Sequence, residues 1–318
     1  MKKIVLPGTD LEISNMCFGP STFGALIDER SSFEMMDFYV ENGGNIIDTA
    51  HCYCDWLNVG LASSEKFLSR WMDARGTRGK VYIATKAGHF KFDAPSVPRV
   101  TAEEVKIDIL ESLDNLKVDR LDFLWLHRDN TNLPVGEIIE FMNDYKNQGL
   151  IKWFGGSNWS ATRLEEARIY AEKHGLENFA GVQNHWNAAH LGGPLVDETC
   201  VFAGEEDLAF YKKNNFPLFA YCSQANGFFS KLDALGPDSL GENIKAMHLN
   251  KINISRLEKM KVLAKKYDSE INSIVLAYLT SQDFPCIPIF NCRNFDQLKS
   301  VISGSDLQLS TNDMLSLV

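Results

Sequence analysis

The amino-acid sequence predicts an α/β fold of the (β/α)8 barrel type, the TIM barrel. Short apolar segments alternate with amphipathic helical patterns along nearly all of the 318 residues. The segments are mostly continuous apolar runs, which is typical of parallel strands that are covered on both faces. No Pro- or Gly-rich linker and no internal repeat divides the sequence. We therefore expect a single barrel domain that spans residues 1–318.

Eight segments have the length and composition of strands. In chain order they are MCFG (16–19), NIID (45–48), VYIATK (81–86), LDFLWLH (121–127), IKWFGGS (151–157), GVQNHW (181–186), PLFAYC (217–222) and PCIPIF (285–290). The alternative fold is an open doubly wound sheet, which should show a GxGxxG turn after its first strand. GPSTFG (19–24) does not match that pattern, so the barrel is the favoured fold.

Apolar residues at helical spacing predict helices between these strands. Thr101 and Glu104 resemble a capping box, Ser160 resembles the cap of a later helix, and Gly149 marks a helix end. The apolar positions of the predicted helices are Val105, Ile109, Leu113 and Leu116; Ile138, Met142 and Tyr145; Leu164, Ala167 and Ala171; Leu257, Met260, Leu263, Tyr267, Ile271, Ile274, Val275 and Tyr278; and Phe295, Leu298 and Ile302.

Four stretches without a regular pattern follow predicted strands, at residues 24–31, 88–100, 187–204 and 224–252. In a barrel, loops that follow strands meet at the face that carries the active site. We therefore expect these irregular stretches to surround any catalytic residues and to determine the choice of substrate.

The composition limits the kinds of partner. The formal net charge of −10 argues against nucleic acid, which requires clustered Lys and Arg, although a small anionic ligand is compatible with it. No apolar run is long enough to span a membrane, and the start of the sequence lacks the apolar core of a signal peptide. With an odd number of cysteines, seven, this predicts a cytoplasmic protein with reduced thiols.

Ionisable residues stand where three neighbouring strands are predicted to end. Asp48 ends the second strand, Lys86 the third and His127 the fourth, and Tyr53 lies in the loop just beyond Asp48. Neighbouring strands are only about 5 Å apart, so these side chains could converge in one pocket. Individually, each has a structural explanation: a cap, a surface lysine, a hydrogen-bonded histidine at a strand end, and a loop aromatic. Four such coincidences at adjacent strand ends favour a catalytic site.

The chemistry of this set is consistent. A nearby lysine cation favours the phenolate and should lower the pKa of Tyr53, which brings the phenol into the range of acid–base catalysis. A carboxylate would hold the lysine, and a neutral histidine could hydrogen-bond a substrate oxygen. The set contains no nucleophile or base for hydrolysis, and it suits proton transfer to or from an oxygen.

The sequence resembles the aldo-keto reductase family, barrel enzymes that reduce carbonyl groups with a nicotinamide cofactor. The resemblance covers nearly the whole chain and rests on several motifs in order. They are IDTAHCY (47–53), IATKAG (83–88), LWLHRD (124–129), GGSNWS (155–160), VQNHWN (182–187), AYCSQANG (220–227) and CRNFDQL (292–298). By this resemblance Tyr53 is the general acid, Asp48 and Lys86 tune it, and His127 orients the carbonyl group.

The resemblance also implies that a dinucleotide lies across the barrel mouth and supplies the hydride, since no side chain can do so. The implied contacts run from the nicotinamide to the adenine. They are Asp48, Ser157, Asn158 and Gln183 near the carboxamide; Tyr221 against the ring; Cys222, Ser223, Gln224 and Gly227 at the pyrophosphate; Gly19, Pro20 and Ser21 on the first-strand side; Asn291, Arg293 and Asn294 at a phosphate; and Gln297 at adenine. Because Arg293 and a helix start suit a phosphate dianion, we expect NADP(H) rather than NAD(H).

Aromatic residues near strand ends are candidate walls of a substrate pocket, although core packing is the usual role of such residues. They are Trp56, Phe90, Trp159 and Trp186. A different hypothesis concerns His51, Cys52 and Cys54, which could begin a zinc site. No second ligand cluster follows at a familiar spacing, so we expect no metal.

The sequence therefore predicts an NADPH-dependent oxidoreductase that interconverts aldehydes or ketones with alcohols, acting on a small molecule. One alternative is an NADP-binding sensor or partner subunit with little turnover, and another is a metal-dependent barrel hydrolase. The sequence identifies neither the substrate, nor the physiological direction of the reaction, nor the oligomeric state.

Overall fold

A computed structural model describes residues 1–57 and 59–317, in which eight parallel strands close into a barrel. A short antiparallel hairpin, β1 (Lys3–Val5) and β2 (Glu12–Ser14), precedes it. The barrel strands are β3 (Cys17–Phe18), β4 (Ile46–Asp48), β5 (Tyr82–Ala87), β6 (Leu121–Leu126), β7 (Ile151–Ser157), β8 (Val182–His185), β9 (Leu218–Tyr221) and β10 (Cys286–Phe290). The predicted fold class is confirmed, and no strand end differs from its predicted position by more than one residue.

Helices surround the barrel. In chain order they are α1 (Glu29–Glu41), α2 (Ser63–Arg75), α3 (Ala102–Leu116), α4 (Val135–Asn147), α5 (Ala161–His174), α6 (Glu205–Asn214), α7 (Phe228–Leu235), α8 (Glu242–His248), α9 (Lys251–Lys266), α10 (Ile271–Thr280), α11 (Phe295–Ser303) and α12 (Thr311–Ser316). Apolar side chains of α1 to α6, α10 and α11 pack with the strands in one cluster, and those of α7 and α9 form a second cluster with other residues of α10. Among the described residues, none of these helices has both the length and the apolar character needed to cross a membrane.

Two of the stretches predicted to be irregular contain helix. Residues 224–252 include both α7 and α8, and α1 begins inside the 24–31 stretch at Glu29. Gly227, Gly236 and Gly241 divide the longer stretch into pieces shorter than the window in which a helical period is visible. The prediction of loop structure was therefore wrong over most of this stretch.

The predicted helix caps are formed, with one difference. Ser160 accepts from the Arg163 N–H, and Thr101 Oγ1 accepts from the Glu104 N–H at 3.3 Å. The reciprocal half of the Thr101 capping box is absent, because the Glu104 carboxylate accepts from Arg99 Nε at 2.6 Å instead. The Thr101 N–H donates to the Arg99 carbonyl oxygen at 2.9 Å, so the helix start remains satisfied.

Large aromatic side chains fill the barrel interior. The ring centroids of Trp125 and Phe123 are 4.3 Å apart, and those of Trp125 and Phe219 are 5.0 Å apart. Gly155 on β7 makes room for this indole: a Cβ there would lie 2.5 Å from Trp125 and 2.6 Å from the Gly181 carbonyl oxygen. The packing of the barrel interior therefore requires glycine at position 155 of β7.

The hairpin β1–β2 closes the end of the barrel opposite the loops that follow the strands. Leu6, Leu11 and Ile13 are fully buried and join the interior cluster that contains Phe123. On the outside, Asp10 accepts from the Trp153 indole N–H at 2.9 Å. The sequence analysis missed this element, because strands of only three residues carry too little periodicity to recognise.

Replacement of Gly155 by alanine should test this packing. We expect Gly155→Ala to lower the free energy of unfolding by about 1–3 kcal/mol, because a backbone oxygen and an indole ring occupy the space of the new methyl group. Gly241→Ala is a suitable control, because a Cβ at Gly241 meets nothing within 4 Å, and its effect should stay within about 0.5 kcal/mol. Denaturant unfolding measures both, and equal effects would contradict the interior packing described here.

Candidate active site

The carboxyl ends of β4, β5 and β6 bring three ionisable side chains to one face of the barrel. Asp48 is the last residue of β4, Lys86 precedes the last residue of β5, and His127 directly follows β6. Parallel pairing of these strands keeps the three positions side by side. Tyr53 reaches the same point from the loop after β4, so the four predicted catalytic side chains lie together.

Lys86 is the centre of this group. Its side chain is 1% exposed, and its Nζ donates to Asp48 Oδ2 at 2.6 Å, to the Thr49 carbonyl oxygen at 2.7 Å and to the Tyr53 hydroxyl at 2.9 Å. Gln183 Nε2 donates to the other carboxylate oxygen of Asp48 at 2.7 Å. All three protons of the buried ammonium therefore have acceptors, and the carboxylate that balances its charge is fixed by a second donor.

Burial and charge act in opposite directions on the pKa values of this pair. Burial by itself would lower the pKa of Lys86, but Asp48 and Tyr53 raise it above its ordinary value, so the ammonium form is retained. For Tyr53 the larger effect is burial, which raises the pKa of the phenol to about 12 although Lys86 opposes it. Lys86 thus lowers the pKa of Tyr53 as expected, but burial outweighs this effect, and the pKa of the phenol lies above its usual value.

His127 is a neutral imidazole at physiological pH. Burial lowers its pKa well below 6.5, and the positive charges of neighbouring groups such as Arg128 act in the same direction. Its Nδ1 lies 3.8 Å from Cys52 Sγ, and its ring centroid is 5.9 Å from that of Tyr53. The ring of His89 stands on another side, 4.5 Å away between centroids.

Asn158 connects His127 to the strands on the other side of the site. It follows β7 with a φ of 63°, a left-handed conformation that Asn tolerates better than most residues. Its Nδ2 donates to the His127 carbonyl oxygen at 3.2 Å and to Ser157 Oγ at 3.2 Å, and its Oδ1 accepts from the Tyr221 hydroxyl at 2.7 Å. Ser157, Asn158 and Gln183 thus present buried polar groups beside the tetrad, next to the half-buried ring of Tyr221.

The loop after β9 is tied to its neighbours by side-chain hydrogen bonds. Ser223 Oγ donates to the Ile289 carbonyl oxygen at 2.7 Å. Gln224 forms a bridge, because its Nε2 donates to Asn272 Oδ1 at 3.1 Å and its Oε1 accepts from the Asn291 N–H at 3.2 Å. These contacts place the three predicted pyrophosphate and phosphate residues Ser223, Gln224 and Asn291 along one edge of the barrel mouth.

The same loop turns sharply before α7. Cys222 and Gly227 both have positive φ values, 52° and 76°, and Gly227 directly precedes the helix. Lys231 bends back over this turn, and its Nζ donates to the Asn226 carbonyl oxygen at 3.0 Å. The sequence analysis did not single out Lys231; the signal that could have found it is a cation in the first turn of a helix that begins after a glycine, since a helix N-terminus favours an anion.

The remaining predicted cofactor residues follow the neighbouring strands β10 and β3. Asn294 caps α11 by accepting from the Gln297 N–H at 2.9 Å, and Gln297 Oε1 accepts from the Arg293 N–H at 2.8 Å. All three side chains are exposed, which leaves the Arg293 guanidinium open to solvent. These residues form a helix start with an exposed cation beside it.

Next to these residues, the chain after β3 is fixed by hydrogen bonds to its neighbours. The Gly19 N–H donates to the Phe290 carbonyl oxygen at 2.9 Å, and the Ser21 carbonyl oxygen accepts from Cys54 Sγ at 2.9 Å. Gly19 and Pro20 are buried and Ser21 is half-buried. The three residues therefore form a fixed backbone wall rather than a set of side-chain donors.

Two predicted pocket aromatics lie at the site, together with one that the sequence analysis missed. Trp56 is 52% exposed, and its ring centroid is 6.2 Å from Tyr53 and 6.1 Å from Phe92, which is 51% exposed. Phe90 is half-buried and packs on His89 at 4.1 Å between centroids. Phe92 could have been found from the sequence, since it follows Phe90 by two residues in the same loop.

The other two predicted pocket tryptophans pack in the core. Trp159 is fully buried, with its ring centroid 4.8 Å from that of Phe179. Trp186 is 5% exposed and lies 5.7 Å from Tyr278 and 6.3 Å from Phe284 between centroids. Both indoles fill the layer between the strands and the helices, and we leave them out of the candidate pocket.

The residues of the sequence-based zinc hypothesis do not converge. His51 Nε2 is 2.7 Å from Glu111 Oε2, whereas Cys54 Sγ donates to the Ser21 carbonyl oxygen. Cys52 instead faces His127. His51, Cys52 and Cys54 therefore point to three different partners and cannot bind one ion together.

Comparisons with known proteins agree with this architecture. The sequence matches the Aldo/keto reductase family over residues 15–317. It is 24% identical over 321 residues to norsolorinic acid reductase B of Dothistroma septosporum, covering 96% of this chain and 77% of that protein. It is 24% identical over 325 residues to aryl-alcohol dehydrogenase GME11368 of Pestalotiopsis microspora, covering 98% and 80%. It is 25% identical over 314 residues to the uncharacterized oxidoreductase YrpG of Bacillus subtilis, covering 97% and 92%.

A solved structure shares the fold. The thermostable aldo-keto reductase Tm1743, determined with the inhibitor epalrestat, superposes with a TM-score of 0.72. The two sequences are 21% identical, and the match covers 100% of this chain and 98% of the other. At this identity the likeness establishes a common (β/α)8 architecture.

The buried histidines make the stability of the site depend on pH. Burial above all, with the charges of Arg128 and Arg99, lowers the pKa of His89 to about 4 from 6.5. As the pH falls from 6.5 towards 4, the unfolded chain takes up a proton that the folded site excludes, so the free energy of unfolding decreases. We expect the free energy of unfolding of His89→Gln to fall less steeply than that of wild type, by up to about 1.4 kcal/mol per pH unit. Urea unfolding at a series of pH values measures this difference.

His190→Gln is the control for this experiment, because it removes an exposed histidine from the same barrel. Its unfolding free energy should follow the wild-type pH dependence. If the slopes for wild type and His89→Gln coincide below pH 6.5, the imidazole of His89 is not held neutral by its surroundings.

Proposed function

This chain belongs to the aldo/keto reductase family, and on that premise we propose that it reduces aldehyde or ketone carbonyls to alcohols, with hydride from NADPH and a proton from Tyr53. The proposal is carried by the buried hydrogen-bond chain from Asp48 through Lys86 to the Tyr53 hydroxyl. The names of two relatives, a reductase and an aryl-alcohol dehydrogenase, support chemistry at a carbonyl or alcohol carbon.

Tyr53 is suited to donate a proton. Because Lys86 Nζ can only donate, the Tyr53 oxygen accepts in their 2.9 Å hydrogen bond, and the phenolic proton remains free for a substrate oxygen. The pKa of about 12 keeps the phenol protonated at neutral pH before reaction. When the proton leaves, the ammonium of Lys86 stabilises the phenolate that remains, and this stabilisation is larger in the buried site than in water.

His127 orients the carbonyl group in this proposal. Burial raises the pKa of the Cys52 thiol to about 12, so Cys52 carries its proton and can donate to Nδ1 of His127. The imidazole proton is then on Nε2. A neutral Nε2–H donor holds the carbonyl oxygen without competing with Tyr53 as a stronger acid.

The polar residues around the tetrad fit a nicotinamide dinucleotide. When bound, this cofactor supplies the hydride. Ser157, Asn158 and Gln183 would bind its carboxamide, since they offer both donors and acceptors in a buried position. Gln183 is already oriented by its hydrogen bond to Asp48, which leaves its carbonyl oxygen available. Tyr221 would stack on the ring, with its hydroxyl anchored on Asn158.

Phosphate groups would bind on the β9 and β10 side of the mouth. The turn from Cys222 through Gly227 offers backbone donors, and Lys231 adds a cation. Arg293 is an exposed guanidinium next to the start of α11, which suits the extra phosphate of NADP(H). These features support NADP(H) over NAD(H).

Removal of the phenolic hydroxyl tests the proton donor. We expect Tyr53→Phe to reduce carbonyl-dependent NADPH oxidation by about 10²–10⁴-fold, because the other two partners of Lys86 among the described residues, the Asp48 carboxylate and the Thr49 carbonyl oxygen, only accept hydrogen bonds. NADPH binding, followed by its fluorescence, should be retained. Tyr170→Phe, a change on the outer surface of α5, is the matched control and should keep full activity.

Two results would contradict this assignment. Tyr53→Phe with wild-type turnover would remove Tyr53 from the reaction. Tight NADPH binding by wild type with no turnover on any of a panel of aliphatic and aromatic carbonyls would instead favour a cofactor-binding sensor.

Charge removal at Arg293 tests the choice of nucleotide. We expect Arg293→Ala to weaken NADPH binding by about 10–100-fold, the loss of a charge-assisted phosphate contact, and to leave NADH binding nearly unchanged. Lys299→Ala, which removes another cation from α11, serves as the control. Calorimetric titration gives the affinities for both nucleotides. If Arg293→Ala loses equal affinity for NADH and NADPH, the extra phosphate of NADPH does not bind at Arg293.

A further inference from the structure

A cluster of metal-ligating side chains lies beside Tyr53, separate from the residues of the sequence-based zinc hypothesis. It consists of Cys52, His89 and His127, which we call the thiol–imidazole cluster. One ligand atom from each residue lies within 4.8 Å of the other two. We propose that this cluster binds a thiophilic divalent cation such as Zn²⁺ through Nδ1 of His127, and that the bound ion inhibits the enzyme because coordination turns the imidazole towards the cluster and moves its Nε2–H away from the place of the carbonyl oxygen.

The distances in the cluster are close to those of a zinc site. With Zn–S near 2.3 Å and Zn–N near 2.05 Å, a tetrahedral ion separates its sulfur and nitrogen ligands by about 3.6 Å. Cys52 Sγ is 3.8 Å from His127 Nδ1. The His89 and His127 ring centroids are 4.5 Å apart with planes at 62°, so both edges can face a common point. Small side-chain movements would complete the coordination.

The support for the ligands is already present. His89 Nδ1 contacts the Phe90 carbonyl oxygen at 2.8 Å, and since that oxygen can only accept, the ring proton lies on Nδ1 and Nε2 presents a lone pair. The three ligands lie shortly after three neighbouring strands: His127 directly follows β6, His89 lies two residues after β5, and Cys52 lies four residues after β4. All three side chains are 6–9% exposed, which limits competition from water.

Charge near the cluster is largely compensated. Lys86 is paired with Asp48 at 2.6 Å, and Arg128 is paired with Asp197 at 2.8 Å. On binding, the Cys52 thiol loses its proton to solvent, and one thiolate with two neutral imidazoles leaves the site with a single net positive charge. Three protein ligands and one open position are the arrangement of catalytic zinc sites, which retain a water or another ligand.

A second set of possible ligands, His51, Asp108 and Glu111, is a weaker candidate. The carboxylate of Asp108 already accepts from Arg99 at 2.7 Å and from the Gly88 N–H at 2.8 Å. An ion there would have to displace the half-buried guanidinium of Arg99 from its partner. This set therefore serves as the internal comparison for the test.

Metal binding can be measured without turnover. We expect calorimetry to show one Zn²⁺ per chain and no comparable binding of Mg²⁺, which prefers oxygen ligands. Co²⁺ as a probe should give the absorption of a thiolate–metal bond. Cys52→Ala should abolish that band. Both Cys52→Ala and His89→Gln should weaken Zn²⁺ binding by more than about 100-fold, which exceeds the effect of removing a residue that only hydrogen-bonds to a metal ligand. Cys54→Ala and His51→Gln should retain it.

Inhibition is the second measurement, and it rests on the proposed reductase function. Zn²⁺ should raise the apparent KM for the carbonyl, leave NADPH binding intact, and be reversed by a chelator. For each variant, the rate of carbonyl reduction with Zn²⁺ is compared with the rate of the same variant without metal. Absence of stoichiometric binding, or binding that survives in Cys52→Ala and disappears in His51→Gln, would overturn the site. A protein that binds Zn²⁺ as expected but reduces no carbonyl would refute the proposed function and leave the metal site standing.

Discussion

The active face depends on the cost of burying one ammonium group. A lysine side chain that is 1% exposed must have an acceptor for every proton and a carboxylate for its charge, or it would neutralise or unfold the site. Asp48, the Thr49 carbonyl oxygen and the Tyr53 hydroxyl meet that requirement. The same requirement fixes the position of the phenol, since Tyr53 is the third acceptor. The contacts that satisfy the buried ammonium of Lys86 are therefore the same contacts that orient Tyr53, the candidate acid.

Around this centre the site divides into two halves with different physical character. On the β4 to β6 side, aromatic rings and imidazoles surround Tyr53. The exposed rings of Trp56 and Phe92 extend this aromatic surface towards solvent. On the β7 to β10 side, amides, backbone turns and the cations Lys231 and Arg293 dominate. An aromatic side next to the tetrad and a side with amides and cations are what the proposed reaction between a carbonyl compound and a phosphate-bearing cofactor would require.

The sequence predicted the parts of this arrangement that depend on periodicity and strand ends. Asp48, Lys86 and His127 each stop an apolar run, and parallel strands of a barrel necessarily align such positions. The direction of a side chain in a loop is not encoded in the same way. Trp56 and Trp186 both follow strands, yet one faces solvent and the other is 5% exposed against the helices. The pKa of Tyr53 could not be predicted either, because the effect of burial depends on the complete fold, whereas the lysine partner is visible in the motif. The short hairpin β1–β2 has too few residues for any period.

Asn158 has a consequence for how relatives of this protein can diverge. Besides its bonds to His127 and Tyr221, its Oδ1 accepts from the Val201 N–H at 3.1 Å, which ties the 187–204 segment to the catalytic side. Exchanging that segment between paralogues would therefore disturb the imidazole unless the graft kept a backbone amide at the place of Val201. Recombination and loop engineering in this protein must therefore avoid proline at position 201, in addition to keeping Asp197 and Thr199, the partners of Arg128 that hold the same segment.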